Sequence, residues 1–300
     1  MKKIAIVTPT YNRCDLLPRL VASLDRQTDQ EFDWIIIDDG STDGTKSYIE
    51  KMMKKGNVYN IVFYTVPNGG KSRALNYVFK RKRDYDFYAI VDSDDYLVDN
   101  AIELIKKRVD EFIGNDDIGG IVFRYVDSAG KLIESSQKKR QVREVIMTRF
   151  EHDAIFSKDD GCMGYFQRVI KEYSFPEFEN EKYVGPTVLQ MLMAEKFKIA
   201  FTNTVVGVAE YQEGGLTKSG RKLRLKNSNG MICYCLLLQK GSKKMAARIK
   251  YGIMAWAYRI YNGFSEKELK EKKILTGEFI PLLFPFGMML AWIWKMKYRI

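Results

Sequence analysis

The chain has 300 residues, of which 46% are hydrophobic and 29% are charged, so it can bury a full core and is not an intrinsically disordered protein. The four cysteines are spaced neither as a disulfide framework nor as a zinc site, which favours a reducing compartment. The net charge of +11 is unevenly distributed along the chain. Residues 218–300 contain 18 basic and four acidic residues, whereas residues 1–217 contain 31 basic and 34 acidic residues. Such a basic tail predicts an anionic partner.

The first element is a short apolar run, Lys3-Ile4-Ala5-Ile6-Val7, which predicts a buried parallel strand. It is much shorter than the roughly 7 to 15 apolar residues of a signal-peptide core, so we expect the protein to remain in the cytoplasm. A polar loop follows over 8–13, and apolar residues at helical spacing predict a helix over 15–27.

The same order of strand, polar loop and helix then repeats. Further strands are predicted over 32–37, over 60–66 and from residue 86, with helices between them that end near residues 54 and 79. We therefore expect an α/β fold built on a doubly wound, mostly parallel sheet.

The loops that follow parallel strands meet at the carboxyl edge of the sheet, where open α/β folds bind their ligands. The loop after the fourth strand, Asp92-Ser93-Asp94-Asp95, places three carboxylates within four residues. Such carboxylates repel one another unless a cation lies among them, and an oxygen-preferring ion such as Mg²⁺ or Mn²⁺ fits them. The alternative is a solvated acidic turn, which is the commoner meaning of an isolated Asp-x-Asp.

Two common nucleotide sites can be set aside. Gly70-Lys71-Ser72 ends like a P-loop, but Thr65 stands where the first glycine of that motif is required. The first turn also has no Gly-x-Gly-x-x-Gly.

Four segments together resemble the inverting family 2 glycosyltransferases with a GT-A fold. They are Thr8-Pro9-Thr10-Tyr11-Asn12-Arg13, Asp38-Asp39-Gly40-Ser41-Thr42-Asp43, Asn68-Gly69-Gly70-Lys71-Ser72-Arg73-Ala74-Leu75-Asn76 and Asp92-Ser93-Asp94-Asp95. Each motif is short, but all four occur in the order and spacing of the family over residues 1–110. The resemblance implies transfer of a sugar from a nucleotide-diphosphate sugar, usually a UDP-sugar, to an acceptor hydroxyl.

The resemblance also implies roles for single residues. Asp94 would bind the metal, the ring of Tyr11 would stack on uracil, Asp39 would accept a hydrogen bond from the uracil imide, and Asp92 would approach the ribose. The residues assigned in this way to the nucleotide sugar are Thr8, Pro9, Tyr11, Arg13, Asp39, Asn68, Lys71, Arg73, Asp92, Ser93 and Lys218.

Structural alternatives exist for several of these residues. Tyr11 could be a half-buried packing aromatic, Asp39 a helix cap and Arg73 a surface cation at a helix start. Asp43 is the better candidate for the cap, which would leave Asp39 freer to bind a ligand.

An inverting transfer needs a carboxylate that takes the proton of the acceptor hydroxyl. Residues 175–183 precede a predicted helix over 187–196 and correspond to the region where relatives carry this base. Val184-Gly185-Pro186-Thr187 stands where relatives often have an acidic residue, so we expect Glu181 to be the base, with Glu179 next and Asp160 as a third candidate. The alternative for at least two of them is an ordinary solvated carboxylate. The single histidine, His152, is interpreted as structural or surface rather than as a metal ligand.

The region beyond the acidic loop is expected to complete the same domain. A helix is predicted over 100–112, and strands over 118–126, 197–201 and 205–208. We therefore expect one catalytic domain over 1–217, with the nucleotide sugar in 1–112 and the acceptor half in 113–217. The segment from Tyr211 resembles a flexible loop of the family, where Lys218, Arg221 and Lys222 would either reach phosphate or form a solvated charged turn.

Residues 218–300 predict a basic, helical extension that associates with a membrane. Helical spacing covers 227–240 and 244–264, and an uncharged run over 279–294 precedes Lys295 and Lys297. The run is shorter than the about 20 residues that span a bilayer and contains two prolines, so we expect it to lie in the interface, facing anionic lipid. The alternative is a helical subdomain packed on the catalytic body.

The sequence thus predicts a metal-dependent inverting glycosyltransferase, peripheral on the cytoplasmic face of a membrane, that acts on a lipid-linked or surface-glycan acceptor. One alternative is a sugar nucleotidyltransferase, although the Gly-rich, Arg-containing loop of such enzymes is missing from the first turn. Another is a non-catalytic sugar- or membrane-binding scaffold. Nucleic acid is not an expected partner, because the basic residues are interleaved with an apolar, membrane-like segment.

Overall fold

The structure is a computed structural model that describes residues 3–56, 58–81, 84–133, 144–156, 161–210, 220–262 and 278–298. The chain divides into two compact units. The first comprises Met1–Ser174 and Met193–Gln212, and the second comprises Phe175–Leu192 and Glu213–Ile300. This division differs from the boundary expected at residue 217, because residues 175–192 pack with the C-terminal helices.

The first unit contains nine strands and six helices among its described residues. The strands are β1 (Ile4–Thr10), β2 (Asp33–Asp38), β3 (Asn60–Thr65), β4 (Phe87–Ile90), β5 (Tyr96–Leu97), β6 (Ile118–Val126), β7 (Val145–Met147), β8 (Met163–Phe166) and β9 (Lys198–Val208). The helices are α1 (Leu17–Asp25), α2 (Thr45–Lys54), α3 (Lys71–Phe79), α4 (Ala101–Phe112), α5 (Arg149–Ile155) and α6 (Gln167–Glu172).

These strands form one mixed sheet in the order β3-β2-β1-β4-β8-β6-β9-β5, with β7 paired to β9. The first four strands along the chain are mutually parallel, and β6 is parallel to β9. β8 lies antiparallel between β4 and β6, while β5 and β7 run antiparallel to β9. The expected α/β class with a mostly parallel sheet is confirmed.

The order of the first four strands determines where the polar loops lie. β1 is central and completely buried, and β4 pairs with it only as far as Val7. β1 nevertheless continues to Thr10, where the sequence predicted a loop from residue 8, because Pro9 and Thr10 pair with Ile37 and Asp38 of β2. The loops after β1, β2, β3 and β4 all leave the carboxyl edge of the sheet, as the pattern predicted.

The insertion of β8 beside β4 depends on glycine. Gly164 pairs with Ala89, and a Cβ atom at this position would lie 2.1 Å from Cζ of Phe87, whose ring is fully buried. A larger residue therefore could not occupy the strand without moving the core aromatic. This contact holds β4, and with it the acidic loop, against the second half of the sheet.

The second unit is helical in its described residues. Its helices are α7 (Val188–Leu192), α8 (Gly220–Lys226), α9 (Ser228–Gly241), α10 (Met245–Asn262) and α11 (Phe284–Tyr298), with a 3₁₀ turn at Pro281–Leu283. α10 packs on both α9 and α11, and the backbone of Gly287 lies directly on Trp256. Within the described residues, the helices are too short or too polar to cross a bilayer.

Candidate functional site

Three carboxylates converge in the loop after β4. Oxygen atoms of Asp92, Asp94 and Asp95 all lie within 4.8 Å of one another, and each side chain is partly exposed. The loop turns tightly, because the amide of Asp95 donates to the carbonyl of Asp92 at 3.1 Å. A set of oxygen donors at this spacing fits a hard divalent cation such as Mg²⁺ or Mn²⁺. The sequence predicted a cation among these three carboxylates, and the family resemblance assigned the metal to Asp94; the structure brings Asp92 and Asp95 close to Asp94.

The cation that the structure places at this cluster is Lys71, the first residue of α3. Its Nζ donates to both carboxylate oxygens of Asp92, at 2.5 and 2.6 Å. Burial alone would lower the pKa of Lys71, but the charges of Asp92, Asp95 and Asp94 raise it, so the ammonium is charged at neutral pH. Lys71 therefore connects the loop after β3 to the acidic loop.

Asp39, the residue after β2, organises the loop after β3. Its buried carboxylate accepts hydrogen bonds from the amides of Gly69 at 2.7 Å and Gly70 at 2.8 Å, and the side-chain amide of Asn68 donates to its carbonyl at 2.8 Å. Gly40 follows with a φ of +74°, and a Cβ atom there would lie 2.8 Å from the amide nitrogen of Asn68. Asp39 thus fixes Asn68–Gly70 beside the acidic loop.

The N-cap residue of α2 is Gly44, and Asp43, the expected cap, lies one residue before it. The carboxylate of Asp43 accepts from the amide of Thr45 at 2.9 Å, in the first turn of α2, and from the amide of Cys14 at 3.1 Å. Partial burial opposes ionisation, but these hydrogen bonds lower the pKa of Asp43 below its ordinary value. Neither Asp39 nor Asp43 therefore occupies the cap position of α2.

The loop after β1 is attached to the loop after β2 and leaves one aromatic ring exposed. Asn12, in the left-handed region with a φ of +50°, donates its amide to Oγ of Ser41 and accepts from the amide of Thr42 through Oδ1, both at 2.8 Å. Oγ1 of Thr45 accepts the amide of Arg13 at 3.0 Å. Tyr11 is 44% exposed beside this rigid corner, which suits a ring that stacks on a ligand.

Thr8, which was assigned to the nucleotide sugar, lies in the core of the sheet. The Thr8 side chain is completely buried, and its hydroxyl accepts a hydrogen bond from the indole of Trp34 at 3.0 Å. This hydrogen bond joins β1 to β2 inside the core. Pro9, near the end of β1, and Ser93, within the acidic loop, are also buried. Arg73 lies across Gly69, because a Cβ atom at Gly69 would be 2.6 Å from Cδ of Arg73.

Arg19, on α1, is a site residue that the sequence did not indicate. Its Nη2 donates to the backbone carbonyl of Asp94 at 2.5 Å, and its Nη1 donates to the carboxylate of Glu210 at 2.6 Å. The guanidinium also lies 4.7 Å from the ring centre of Tyr96. An arginine on the polar side of an amphipathic helix looks solvated in the sequence, so no local signal could have identified it.

In the second unit, Glu181 has contacts that argue against the expected role as base. Its carboxylate is buried and accepts from the amides of Asn229 at 2.7 Å and Gly230 at 2.9 Å, at the start of α9. Burial raises the pKa of Glu181, and the two backbone hydrogen bonds oppose that rise. The carboxylate satisfies the N-terminal amides of a helix, which is a structural contact, and the role of Glu181 as base stays a prediction.

The remaining candidates are distributed as follows. Glu179 is exposed on the same segment as Glu181, whereas Lys218 and Asp160 lie outside the described residues. Arg221 donates to the hydroxyl of Tyr258 at 2.7 Å and packs over Trp294, so it is engaged within the helical unit. His152 is buried and stacked on Phe201 at 3.8 Å, which agrees with its structural interpretation.

Comparison with known proteins identifies the family. The sequence model described as glycosyl transferase family 2 matches residues 5–174. The glycosyltransferase GlyG of Streptococcus pneumoniae is 26% identical over 227 residues, which are 72% of this chain and 73% of that protein. The GalNAc(5)-diNAcBac-PP-undecaprenol beta-1,3-glucosyltransferase of Campylobacter jejuni is 28% identical over 115 residues, which are 37% of this chain and 36% of that protein. That match therefore spans about a third of the relative's length.

Solved structures share the fold. The Staphylococcus aureus protein TarS, residues 1–349 in complex with UDP-GlcNAc, superposes with a TM-score of 0.62 at 19% identity, over 97% of this chain and 84% of that one. The mannosyltransferase PcManGT of Pyrobaculum calidifontis, in complex with GDP-Man and Mn²⁺, has a TM-score of 0.53 at 15% identity, over 98% and 75%. The architecture is therefore that of the GT-A enzymes. With more than half of the chain matched by the family model, the protein belongs to glycosyl transferase family 2.

Proposed function

We propose that the protein transfers a sugar from a UDP-sugar to an acceptor hydroxyl, with inversion at the anomeric carbon and with Mg²⁺ or Mn²⁺ held by Asp92, Asp94 and Asp95. The observation that carries this proposal is the cluster of three carboxylates at the carboxyl end of β4. Support also comes from the ligands named for two proteins of the same fold, UDP-GlcNAc for TarS and GDP-Man with Mn²⁺ for PcManGT.

The electrostatics of the site suit a nucleotide diphosphate. A divalent cation, when bound, neutralises the negative charge that develops on the departing diphosphate. Lys71 contributes a further fixed positive charge beside Asp92, at 2.5 Å. The carboxylates of the loop are thus offset by positive charge, and a diphosphate can approach them without net repulsion.

The loops beside the cluster provide places for the base and the ribose. Tyr11 offers an exposed ring for stacking of uracil. Asp39 and Asn68 are held together at the edge of the same loops, and Arg73 lies across Gly69. We propose that these three residues recognise the base or the first phosphate, and that Pro9, Arg13 and Ser93 shape the pocket through their backbone. Asp92 would approach the ribose, and Lys218, also assigned to the nucleotide sugar, lies outside the described residues.

For the acceptor, we propose a lipid-linked or surface-glycan precursor. The Campylobacter relative is named for an acceptor attached to undecaprenol through a diphosphate, and a Staphylococcus relative is named for poly(ribitol-phosphate). All four cysteines are free thiols, which supports a reducing, cytoplasmic site of action. Glu179 remains our candidate for the base, because its carboxylate is exposed whereas that of Glu181 is engaged with a helix.

The central test is release of UDP or GDP from a panel of nucleotide sugars, measured with the full chain. We expect release with one or a few UDP-sugars in the presence of Mn²⁺, loss of release with EDTA, and loss in Asp94→Asn. Asp84→Asn is the matched control, because Asp84 is an exposed aspartate that pairs only weakly with Lys3, at 3.6 Å. Equal release in EDTA, or in Asp94→Asn, would contradict the proposed metal site.

The base is tested by a second pair of variants. Glu179→Gln should abolish transfer while UDP binding and thermal stability stay unchanged. Glu181→Gln should instead lower thermal stability, because it places an amide group against the backbone amides of Asn229 and Gly230. Full transfer activity in Glu179→Gln would remove Glu179 from consideration.

A further inference from the structure

The outward face of α11 is apolar without interruption. Five of its large side chains are exposed by 42 to 62%, namely Phe286, Met289, Trp292, Ile293 and Met296. With about 100° of rotation per residue, these positions fall within a sector of roughly 120° on the helix. An exposed face of this kind on a soluble helix ordinarily carries charged residues, so it marks a surface that binds something apolar.

The opposite face of α11 accounts for its packing within the unit. Gly287, Ala291 and Trp294 are buried, and the ring of Trp294 lies 4.8 Å from that of Tyr258 on α10. The helix is therefore fixed by its own small and aromatic residues.

The charge of the second unit identifies the sign of the partner. Residues 220–262 contain ten Lys and Arg and no Asp or Glu, and residues 278–298 contain two Lys and one Glu. The two lysines, Lys295 and Lys297, follow the apolar run on α11 and are exposed. They lie about 160° apart around the helix, on either side of the apolar sector.

A groove between α10 and α11 extends the same chemistry. It has a volume of about 620 Å³, and its walls are formed mainly by Ile249, Ile253, Leu290 and Trp294. Arg221 and Lys250 are also part of its lining. Apolar surface combined with lysine and arginine is the combination that anionic lipid binds, through its chains and its headgroups.

We infer that the outward face of α11, together with the basic helices α8 to α10, is a docking surface for an anionic lipid bilayer. Trp292, which is 62% exposed, would lie at the headgroup level, and the lysines would contact anionic headgroups. The helix lies on the bilayer and does not cross it, consistent with its 15 residues. This inference does not depend on the sugar-transfer reaction.

The test is co-sedimentation of the full chain with vesicles of phosphatidylcholine alone or mixed with phosphatidylglycerol. We expect strong binding to the anionic vesicles, weak binding to the neutral ones, and release as salt is raised. Joint replacement Met289→Gln, Trp292→Gln and Ile293→Gln should lower partitioning at least about tenfold. Joint replacement Lys295→Gln and Lys297→Gln should lower partitioning about 25-fold, because each lysine contributes a factor of about five.

Matched controls come from exposed residues of the first unit. Met53→Gln with Val58→Gln removes exposed apolar side chains, and Lys51→Gln with Lys54→Gln removes exposed charges on α2. Both pairs should leave partitioning within about twofold of wild type. UDP binding should be unchanged in every variant, so a failure of docking can be distinguished from a failure of the proposed reaction.

Three outcomes would overturn the inference. The first is no binding to anionic vesicles at physiological salt, and the second is unchanged binding by the apolar triple variant. The third is a wild-type dimer in analytical ultracentrifugation that the triple variant makes monomeric, without vesicle binding, because the face would then cover a second copy of the chain.

Discussion

Replacement of Arg19 with alanine is expected to weaken metal binding and the stability of the first unit together. The guanidinium donates to the carbonyl of Asp94 at 2.5 Å and to Glu210 at 2.6 Å, and it lies over the ring of Tyr96. The alanine variant removes all three contacts. One of them is to the backbone of a proposed metal ligand, so Arg19 positions Asp94 without being a ligand itself.

The magnitude follows from the type and exposure of each contact. A hydrogen bond from a charged donor to the Asp94 carbonyl contributes about 1.5 to 3 kcal/mol. The ion pair with Glu210 is about one third exposed on each side, at 32 and 39%, and is reduced by solvent to about 0.2 to 1 kcal/mol. The contact with Tyr96 adds about 0.5 to 1 kcal/mol. Because neighbouring contacts are not additive, we expect a total loss of about 2 to 4 kcal/mol in the free energy of unfolding.

The loss in the free energy of metal binding should be smaller than the loss in the free energy of unfolding, because only one of the three contacts of Arg19, the one to Asp94, involves the acidic loop. If about 1.4 kcal/mol of that contact serves to hold the loop in its metal-binding form, Mn²⁺ binds about tenfold more weakly. The assay is a Mn²⁺ titration followed by electron paramagnetic resonance in the presence of UDP, with denaturant unfolding measured in parallel. Arg19→Lys keeps the charge but not the forked geometry, so it should lie between wild type and alanine.

Arg26→Ala is the matched control, since Arg26 follows the same helix and pairs with Asp99 at 3.3 Å, with both side chains more than half exposed. We expect it to change stability by less than about 0.5 kcal/mol and to leave Mn²⁺ binding unchanged. Wild-type Mn²⁺ affinity in Arg19→Ala would show that Arg19 serves only the fold. An equal loss in Arg26→Ala would show a general effect of α1 and refute the reasoning.

Three further predictions concern single side chains. Asp94→Asn should lower Mn²⁺-dependent UDP binding at least about 100-fold, as followed by calorimetry, and an unchanged affinity would contradict its role as a ligand. Lys71→Met removes the ammonium group from Asp92, so it should raise the affinity for Mn²⁺ alone severalfold and lower the affinity for UDP. Weaker Mn²⁺ binding in the absence of UDP would contradict this prediction. Asp43→Asn should lower stability slightly at neutral pH, because Asp43 is exposed and its lowered pKa gives stability that is present above its ordinary value of 3.8 and is lost as pH falls through the lowered one. Urea unfolding across pH checks this, and a difference that stays constant into acid would contradict it.

Much of the first half of the fold followed from local patterns. Apolar runs of strand length alternated with amphipathic helices, and this alternation predicted β1 to β4 and their parallel pairing. The carboxylates after β4 could be placed at the carboxyl edge because that edge is the same for all parallel strands. The helix over 100–112 and the strand over 118–126 were likewise predicted within one residue of the observed bounds, Ala101–Phe112 and Ile118–Val126.

Short or interrupted elements were not accessible in the same way. β8 has only four residues, and its place between β4 and β6 depends on the absence of a side chain at Gly164. The strands expected over 197–201 and 205–208 form one continuous strand, Lys198–Val208. The register of its pairing with β6 shifts at the polar residues between the two apolar runs, because Val122 pairs with Phe201 and Arg124 pairs with Val205.

The sequence by itself determined which residue types lie at the carboxyl edge of the sheet and that the C-terminal segment is basic and apolar, because both depend on neighbours along the chain. Only the tertiary structure decided which side chain contacts which. Arg19 meets Glu210 across 191 positions, and Glu181 meets the start of α9 across 48. A carboxylate near a site in sequence becomes a ligand, a cap or a base according to the donors that folding brings to it, and those donors come from distant segments that no local pattern encodes.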